Sequence, residues 1–288
     1  MWLQLALNAF TLGSFYALIA LGFSLIFGIT RAFNLAHGEM VLLGGYLAYV
    51  LGTYWQVPFF WTLPACMLTL LLLAVLLQAL LQHVREPFEL NSLVVTFGLA
   101  LVLQNGMLVL FSANHRLIRN AEAAWSLPSL HLTLTQLQAW LIALSLLATF
   151  LVSILLRKTF LGKALRATIQ DREAARLAGI PVERMSVIAF AVGGILIGLA
   201  GPLYGSTAYL HPWGGMEATL IAVVITIFAG VGRIRGVLLG GWALGLAESL
   251  AVVFLGTSWR ELVGALVLII LLILRPEGLL RVSYGPVR

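Results

Sequence analysis

Charged residues are scarce in this chain. Only 10% of its 288 residues are charged, whereas 61% are hydrophobic, and soluble proteins carry about 25% charged residues. A helix needs about 20 apolar residues to cross a bilayer. Five stretches contain no Asp, Glu, Lys or Arg: residues 1–30, 40–84, 90–115, 123–156 and 185–216. The composition therefore excludes a soluble globular fold and predicts an integral membrane protein.

The sequence also lacks the features of several catalytic and metal-binding classes. Its one cysteine, Cys66, lies in an apolar run, which excludes disulfides and C-x-x-C sites. The five histidines are scattered, and no G-x-x-x-x-G-K-[ST] phosphate loop occurs. The longest polar stretches, 112–136 and 157–184, are too short for a soluble catalytic domain. We expect no catalytic residues, no metal site and no cofactor in this chain, so any ATP and Mg²⁺ would be used by partner subunits.

The apolar runs predict an all-α fold, a polytopic membrane helix bundle that forms a single integral domain over residues 1–288. We expect eight or nine hydrophobic segments. The seventh is short and ends at Gly230 and Gly232, which is typical of a broken or half-spanning helix. The predicted segments are 3–28, 39–54, 61–83, 92–111, 137–156, 185–205, 217–231, 236–256 and 258–274.

The distribution of basic residues predicts the orientation. Residues 157–184 contain seven of the 17 Lys and Arg residues, and short basic loops stay in the cytoplasm. Residues 1–30 carry no positive charge that would hold the amino terminus inside. We therefore expect the amino terminus outside and the carboxyl terminus inside, while the number of full crossings stays open.

The 157–184 segment contains definite helix signals. Asp171 is a good N-cap for a short helix over about 172–178, because its carboxylate can accept from free backbone N–H groups. A second helical stretch over about 162–170 precedes it. Helix formers and then stop signals follow the N-cap: Ala174, Ala175, Leu177, Gly179 and Pro181.

This segment has two possible roles. A solvated basic loop would hold the topology, with its apolar side resting on the membrane surface. A docking element would present apolar side chains within a charged rim, and we favour this interpretation. The apolar members are Leu177 and Ile180, and the nearby basic residues are Arg166, Arg172 and Arg176.

A polar cluster, Asn34, His37 and Glu39, separates the first two hydrophobic segments, and Gly38 would allow a turn there. Ionisable groups and broken backbone at membrane depth commonly line transport pathways. In the alternative, the cluster lies at the cytoplasmic interface, where Glu39 is solvated and His37 caps a helix. One histidine beside one carboxylate is too small a set to bind a metal.

Glu248 lies deep within an apolar segment. An ionised carboxylate that faced lipid would cost about 3 kcal/mol, so we expect its side chain to face protein or water. A hydrogen bond between helices is one role, and a place in the translocation pathway is the other.

Three blocks of sequence resemble one family. They are G-F-S-L-I-F-G-I-T-R-A-F-N-L-A-H-G-E-M-V-L-L-G-G-Y at 22–46, G-K-A-L-R-A-T-I-Q-D-R-E-A-A-R-L-A-G-I at 162–180 and F-A-G-V-G-R-I-R-G-V-L-L-G-G at 228–241. The chain resembles LivH-type permeases of branched-chain amino acid ABC importers along essentially its whole length. The similarity is weakest across 112–136 and at the extreme carboxyl terminus.

The resemblance implies a bacterial inner-membrane subunit that forms the translocation pathway for branched-chain or other hydrophobic amino acids. Its partners would be a homologous second permease, two ATPases docked on residues 157–184, and a periplasmic substrate-binding protein. Related permeases for urea or short amides share the pattern and remain an alternative. In a different class, an ion-coupled secondary transporter would need more paired ionisable groups and would leave the cytoplasmic loop without a task.

Overall fold

The protein is a helical bundle with one small hairpin. The structure, a computed structural model, describes residues 2–118, 124–127, 132–230 and 232–274. The elements are α1 (Trp2–Thr30), α2 (His37–Thr53), α3 (Phe59–Leu81), α4 (Phe88–Phe111), β1 (Ala124–Leu127), β2 (Leu132–Thr135), α5 (Gln136–Lys158), α6 (Phe160–Gln170), α7 (Arg172–Leu177), α8 (Val182–Thr207), α9 (Gly214–Ala229), α10 (Ile234–Leu255), a 3₁₀ turn (Thr257–Trp259) and α11 (Arg260–Leu274).

The helices confirm the predicted helical membrane bundle, and each predicted hydrophobic segment coincides with one of them. Among the described residues, six helices are long and apolar enough to cross a membrane: α1, α3, α4, α5, α8 and α10. The other three hydrophobic helices are shorter. The 16 residues of α9 span about 24 Å at 1.5 Å per residue, less than the roughly 30 Å of a bilayer core. The number of full crossings stays a prediction.

Helix α1 is the centre of the bundle. Of its most apolar 18 residues, 89% are buried, whereas only 17% of the corresponding residues of α4 are buried. It packs against α5, α8, α9 and α10, while α3 packs against α8 on the outside. Glycines permit these close approaches, because a Cβ at Gly245 would lie 2.5 Å from the Gly13 nitrogen and one at Gly198 would lie 2.5 Å from the Met67 Cα.

The hairpin of β1 and β2 is antiparallel and lies beside the start of α1. The Gln4 side chain donates to the Thr133 carbonyl at 3.1 Å and accepts from its N–H at 2.8 Å. Thr135 then caps α5 through a reciprocal pair of hydrogen bonds with Gln138. The hairpin and the first residues of α1 therefore share one end of the bundle.

Candidate functional site

The chain turns back into the bundle after α1. Arg31 has a positive φ of 59°, and its side chain is exposed. By His37 the chain has returned far enough for the imidazole Nε2 to lie 3.1 Å from the Ile19 carbonyl. Ile19 is roughly 15 Å from the end of α1 at about 1.5 Å per residue. Helix α2 therefore begins inside the bundle rather than at its surface.

The irregular backbone between α1 and α2 is satisfied by protein groups. Thr96 of α4 donates its hydroxyl to the Phe33 carbonyl at 2.9 Å and accepts from the Leu35 N–H at 3.2 Å. The Asn34 side chain accepts from the Ala36 N–H at 3.1 Å. Non-helical backbone at membrane depth needs such partners, since lipid supplies none. The predicted polar cluster is thus a re-entrant turn enclosed by α1, α4 and α9.

A second turn of the same kind follows α8. The chain bends back through Leu210, which is fully buried, and α9 begins at Gly214. The start of α9 meets the start of α2, because the Gly38 N–H donates to the Thr219 hydroxyl at 2.8 Å. A Cβ on Gly38 would lie 1.9 Å from the Gly215 carbonyl oxygen. Gly38 is therefore required by this close approach, not by the turn that the sequence suggested.

The two helix pairs are arranged in opposite directions. Helix α8 runs antiparallel to α1, since Gly193 lies against Gly22 while Tyr204 stacks on Phe15. From the point where the two short helices meet, α2 runs along α8. Helix α9 runs from the same point towards the end of α1, where the Gly232 N–H donates to the Ser24 hydroxyl at 3.4 Å. The α1–α2 and α8–α9 pairs thus form two oppositely oriented units whose short helices begin at one buried point.

Glu39 lies at this meeting point. Its side chain is only 3% exposed, so the alternative of a solvated interfacial carboxylate does not describe it. A Cβ on Gly215 would lie 2.2 Å from its carboxyl carbon, which puts the carboxylate against the first turn of α9. A helix amino terminus favours negative charge. Glu39 Oε2 and His37 Nδ1 are buried and have no hydrogen-bond partner among the described residues.

Polar side chains continue from Glu39 along one face of α2. Tyr46 follows seven residues later and Tyr49 three residues after that, spacings that share a helical face. Tyr46 is fully buried and stacks on Phe111 at 4.3 Å, and its hydroxyl has no partner among the described residues. The sequence analysis did not single out Tyr46 or Tyr49, although the spacing of seven residues from Glu39 could have revealed Tyr46.

Glu248 makes the hydrogen bond between helices that its position predicted. It is 4% exposed and accepts from the Tyr16 hydroxyl at 2.7 Å. Tyr16 and Ile19, the partners of Glu248 and His37, lie less than one turn apart on α1. Both buried polar contacts therefore converge on the same stretch of the central helix.

The predicted docking segment forms α6 and α7, whose bounds lie within two residues of those that the sequence indicated. The Asp171 carboxylate accepts from the N–H groups of Glu173 and Ala174, both at 3.0 Å, as expected for an N-cap. Gly179 has a positive φ of 82°, and the Ile180 N–H then donates to the Ala175 carbonyl at 3.0 Å. These contacts fix the two ends of α7, a helix of six residues.

The segment places apolar and basic side chains in water. Leu177 is 90% exposed, and Ala174 and Arg166 are also exposed, whereas Ala175 is buried and Ile180 is half-buried against the core. Arg176 pairs with Glu183 at the surface.

Two contacts connect this segment to the re-entrant units. The Arg172 guanidinium donates to the Thr30 carbonyl at 3.2 Å, at the last residue of α1. Ile169 of α6 lies against Gly232, because a Cβ added to Gly232 would lie 3.1 Å from the Ile169 Cγ2 atom. The segment therefore touches the chain just before one re-entrant turn and just after α9.

Among the described residues, no group of three or more His, Cys, Asp or Glu side chains could hold a metal ion. The predicted site residues instead form two sets. Asn34, His37, Gly38 and Glu39 surround the buried meeting point with Glu248 nearby, and the residues of 166–180 form the exposed segment.

Several known proteins are similar to this chain along nearly its whole length. The family model for the permease component of branched-chain amino acid transport systems matches residues 5–273. A high-affinity branched-chain amino acid permease protein, LivH of Salmonella typhimurium, is 29% identical over 97% of this chain and 95% of its own length. BraD of Pseudomonas aeruginosa, another such permease protein, is 26% identical over the same shares.

A relative with a different described cargo also matches. The autoinducer 2 import system permease protein LsrC of Escherichia coli is 28% identical over 92% of this chain and 76% of its own length. No solved structure matches. The family model covers the bundle, the meeting point and the exposed segment alike, and the chain therefore belongs to the family of permease components of branched-chain amino acid transport systems.

Proposed function

We propose that this chain is the membrane-spanning permease subunit of an ATP-driven importer, and that it forms the pathway for branched-chain or other hydrophobic amino acids. The names of LivH and BraD support this class of solute. Urea, short amides or the autoinducer cargo of LsrC are the alternatives within the same mechanism. The chain is a transport subunit, and ATP with Mg²⁺ is used by its partners.

One observation carries the docking proposal: Leu177 is almost fully exposed on α7, a short helix whose ends are fixed by hydrogen bonds. Leu177 is 90% exposed, Phe160 at the start of α6 is 87% exposed, and basic side chains surround both. An apolar anchor within a charged rim suits a protein partner. Two ATPase subunits would be shared between this chain and a homologous second permease, with one ATPase seated on residues 157–184.

The contacts of the segment explain how such a partner would act on the pathway. A rigid-body shift of α6 and α7 would displace Thr30 through Arg172 and would displace Gly232 through Ile169. These two residues border the two re-entrant units. Closure of the ATPases would thus change the relation between α2 and α9 at their meeting point.

The same meeting point is the proposed translocation site. Asn34, His37, Gly38 and Glu39 lie there, and His37 Nδ1 and Glu39 Oε2 are buried without a hydrogen-bond partner among the described residues. This arrangement favours a place where solute or water enters in another conformation. Glu248, which is hydrogen-bonded to Tyr16, supports the wall of this region. Loop 157–184 would face the cytoplasm and the hairpin end would face outwards, towards the periplasmic substrate-binding protein, in a bacterial inner membrane.

The test is a variant with Leu177→Asp and charge reversal at Arg172 and Arg176, expressed with the partner subunits. We expect the ATPase seated on residues 157–184 to be lost on affinity purification while the second permease is retained. The control is Arg85→Asp, which alters charge at an exposed position outside residues 157–184 and should retain all subunits.

Retention of both ATPases by this triple variant would reject the docking surface. Transport of solute down an ion gradient by the purified chain alone would reject the importer assignment and would favour an ion-coupled secondary transporter.

A further inference from the structure

A cavity lies at the hairpin end of the bundle, away from the docking segment. Its volume is about 720 Å³, which falls within the usual range for small-molecule sites. It is bounded by the last turns of α2, the first turn of α3 and the connection that follows α4. Its lining combines apolar and polar side chains, among them Val57, Phe59, Thr62, His115, Arg116 and Ile118.

The backbone holds Arg116 rigidly in the cavity wall. Its N–H donates to the Leu210 carbonyl at 2.9 Å, and its carbonyl accepts from the Leu210 N–H at 2.7 Å. Ile118 repeats this attachment through its N–H, which donates to the Gly205 carbonyl at 2.9 Å. Hydrogen bonds therefore attach the connection after α4 to the second re-entrant turn, and they fix the position of the Arg116 backbone from which the guanidinium extends.

The guanidinium itself is poorly satisfied. It makes two long contacts, to the Tyr49 hydroxyl and the Phe111 carbonyl, both at 3.4 Å, and it lies 5.8 Å from the centre of the Tyr49 ring. Its Nε is buried and has no partner within the described parts of the chain. The ion pair resolved among these residues is that of Arg176 with Glu183, so no described carboxylate neutralises Arg116.

A partly buried cation without a counter-ion is costly, and a guanidinium binds a carboxylate through paired hydrogen bonds. We propose that this cavity is an outer binding site for the carboxylate of the transported solute, with Arg116 as the anion-binding residue and Val57, Phe59 and Ile118 as the apolar surface for a short side chain. The inference rests on the proposed import function, whose solute would be a carboxylic acid rather than a neutral molecule.

The cavity and the meeting point both border α2. Tyr46 lies on this helix between Glu39 and Tyr49, and the Tyr49 hydroxyl accepts from the Arg116 guanidinium at 3.4 Å. The polar face of α2 thus extends from the carboxylate site to the buried glutamate, and a solute bound at Arg116 would lie at the outer end of this face.

The test uses the purified complex of permeases and ATPases without ATP or binding protein. Phenylglyoxal modifies accessible arginines, and mass spectrometry follows the rate at Arg116. We expect leucine and isovalerate to slow this rate by the factor 1 + [L]/Kd, about fivefold at roughly four times the Kd. Leucinamide and isoamyl alcohol, which lack the carboxylate, should leave it unchanged. Arg85, exposed beyond the opposite end of α3, is the internal control.

Equal protection by leucinamide, no protection by any compound, or parallel slowing at Arg85 would overturn the proposal. A second measurement compares uptake by Arg116→Lys and Arg116→Gln. We expect Arg116→Gln to abolish most uptake and Arg116→Lys to restore part of it, while the second permease and the ATPases co-purify with both variants. Normal uptake by Arg116→Gln would also overturn it. Because ATPase docking at Leu177 is measured separately, failure here leaves the proposed importer function intact.

Discussion

The exposed turn of α7 and the buried start of α2 both reverse the usual placement of side chains. Leu177 is apolar and 90% exposed, whereas Glu39 is ionisable and 3% exposed. An apolar side chain in water forgoes about 25 cal/mol per Å² of buried surface, and a buried unpaired carboxylate is costly as well. We propose that a partner supplies the missing contact for Leu177 and a solute the missing contact for Glu39.

The two regions differ in what determines them. Local signals fix α7, because its N-cap, glycine and apolar anchor lie within ten residues. Long-range contacts fix the start of α2, because Gly38 meets Gly215 and Thr219 from a helix more than 170 positions later. Substitutions should therefore have strong effects on folding at the meeting point and on assembly alone at α7.

The largest effect on stability is expected from Gly38→Ala. The new Cβ would lie 1.9 Å from the Gly215 carbonyl oxygen, and overpacking of this kind costs about 3 kcal/mol. Gly52→Ala is the matched control, since it lies in the same helix with nothing within 4 Å of its Cβ. Thermal unfolding in detergent measures both. Equal melting temperatures would show that the two short helices do not meet as described.

Tyr16→Phe should have the next largest effect. It removes the 2.7 Å hydrogen bond that Tyr16 donates to Glu248, and the loss of a hydrogen bond to a carboxylate costs about 2 kcal/mol. Tyr54→Phe, at a position that is 67% exposed, should leave the melting temperature unchanged. If Tyr16→Phe unfolds like the unmodified chain but stops uptake, then Glu248 belongs to the pathway and not to its wall.

Glu39→Gln should separate transport from stability. We expect uptake to fall by about tenfold, equivalent to ~1.4 kcal/mol, because the negative charge beside the first turn of α9 is lost. All partner subunits should still co-purify. Glu89→Gln also removes a carboxylate from the first turn of a helix, but an exposed one, and should transport normally. Uptake that survives Glu39→Gln would assign Glu39 no part in transport.

Arg176→Ala should change least in the isolated chain. Its pair with Glu183 is exposed, and such pairs contribute within about 0.5 kcal/mol. Arg172→Ala should differ in function, since Arg172 bonds to Thr30. We expect its complexes to hydrolyse ATP while importing less solute per ATP. The ratio of uptake to phosphate release measures this coupling. An unaltered ratio would show that Arg172 does not couple ATP hydrolysis to import.

The sequence predicted those features that depend on neighbours in the chain. The apolar runs located the helices, and Asp171 with Gly179 located both ends of α7. It left open whether Asn34 and Glu39 lie within the bundle or at its interface, because their burial depends on Thr96 and Thr219 from distant helices. Arg116 was missed for the same reason, since its attachment to Leu210 joins segments that no local pattern relates.

The central claim is that a cytoplasmic ATPase subunit binds α7. Leu177→Cys, in a complex whose native Cys66 is buried, tests it by labelling with a membrane-impermeant maleimide. We expect labelling from the cytoplasmic side only, and protection when the ATPase subunits are bound, whereas Trp125→Cys on the hairpin should label from outside. Labelling of residue 177 from the exterior, or equal labelling with and without the ATPases, would contradict the account.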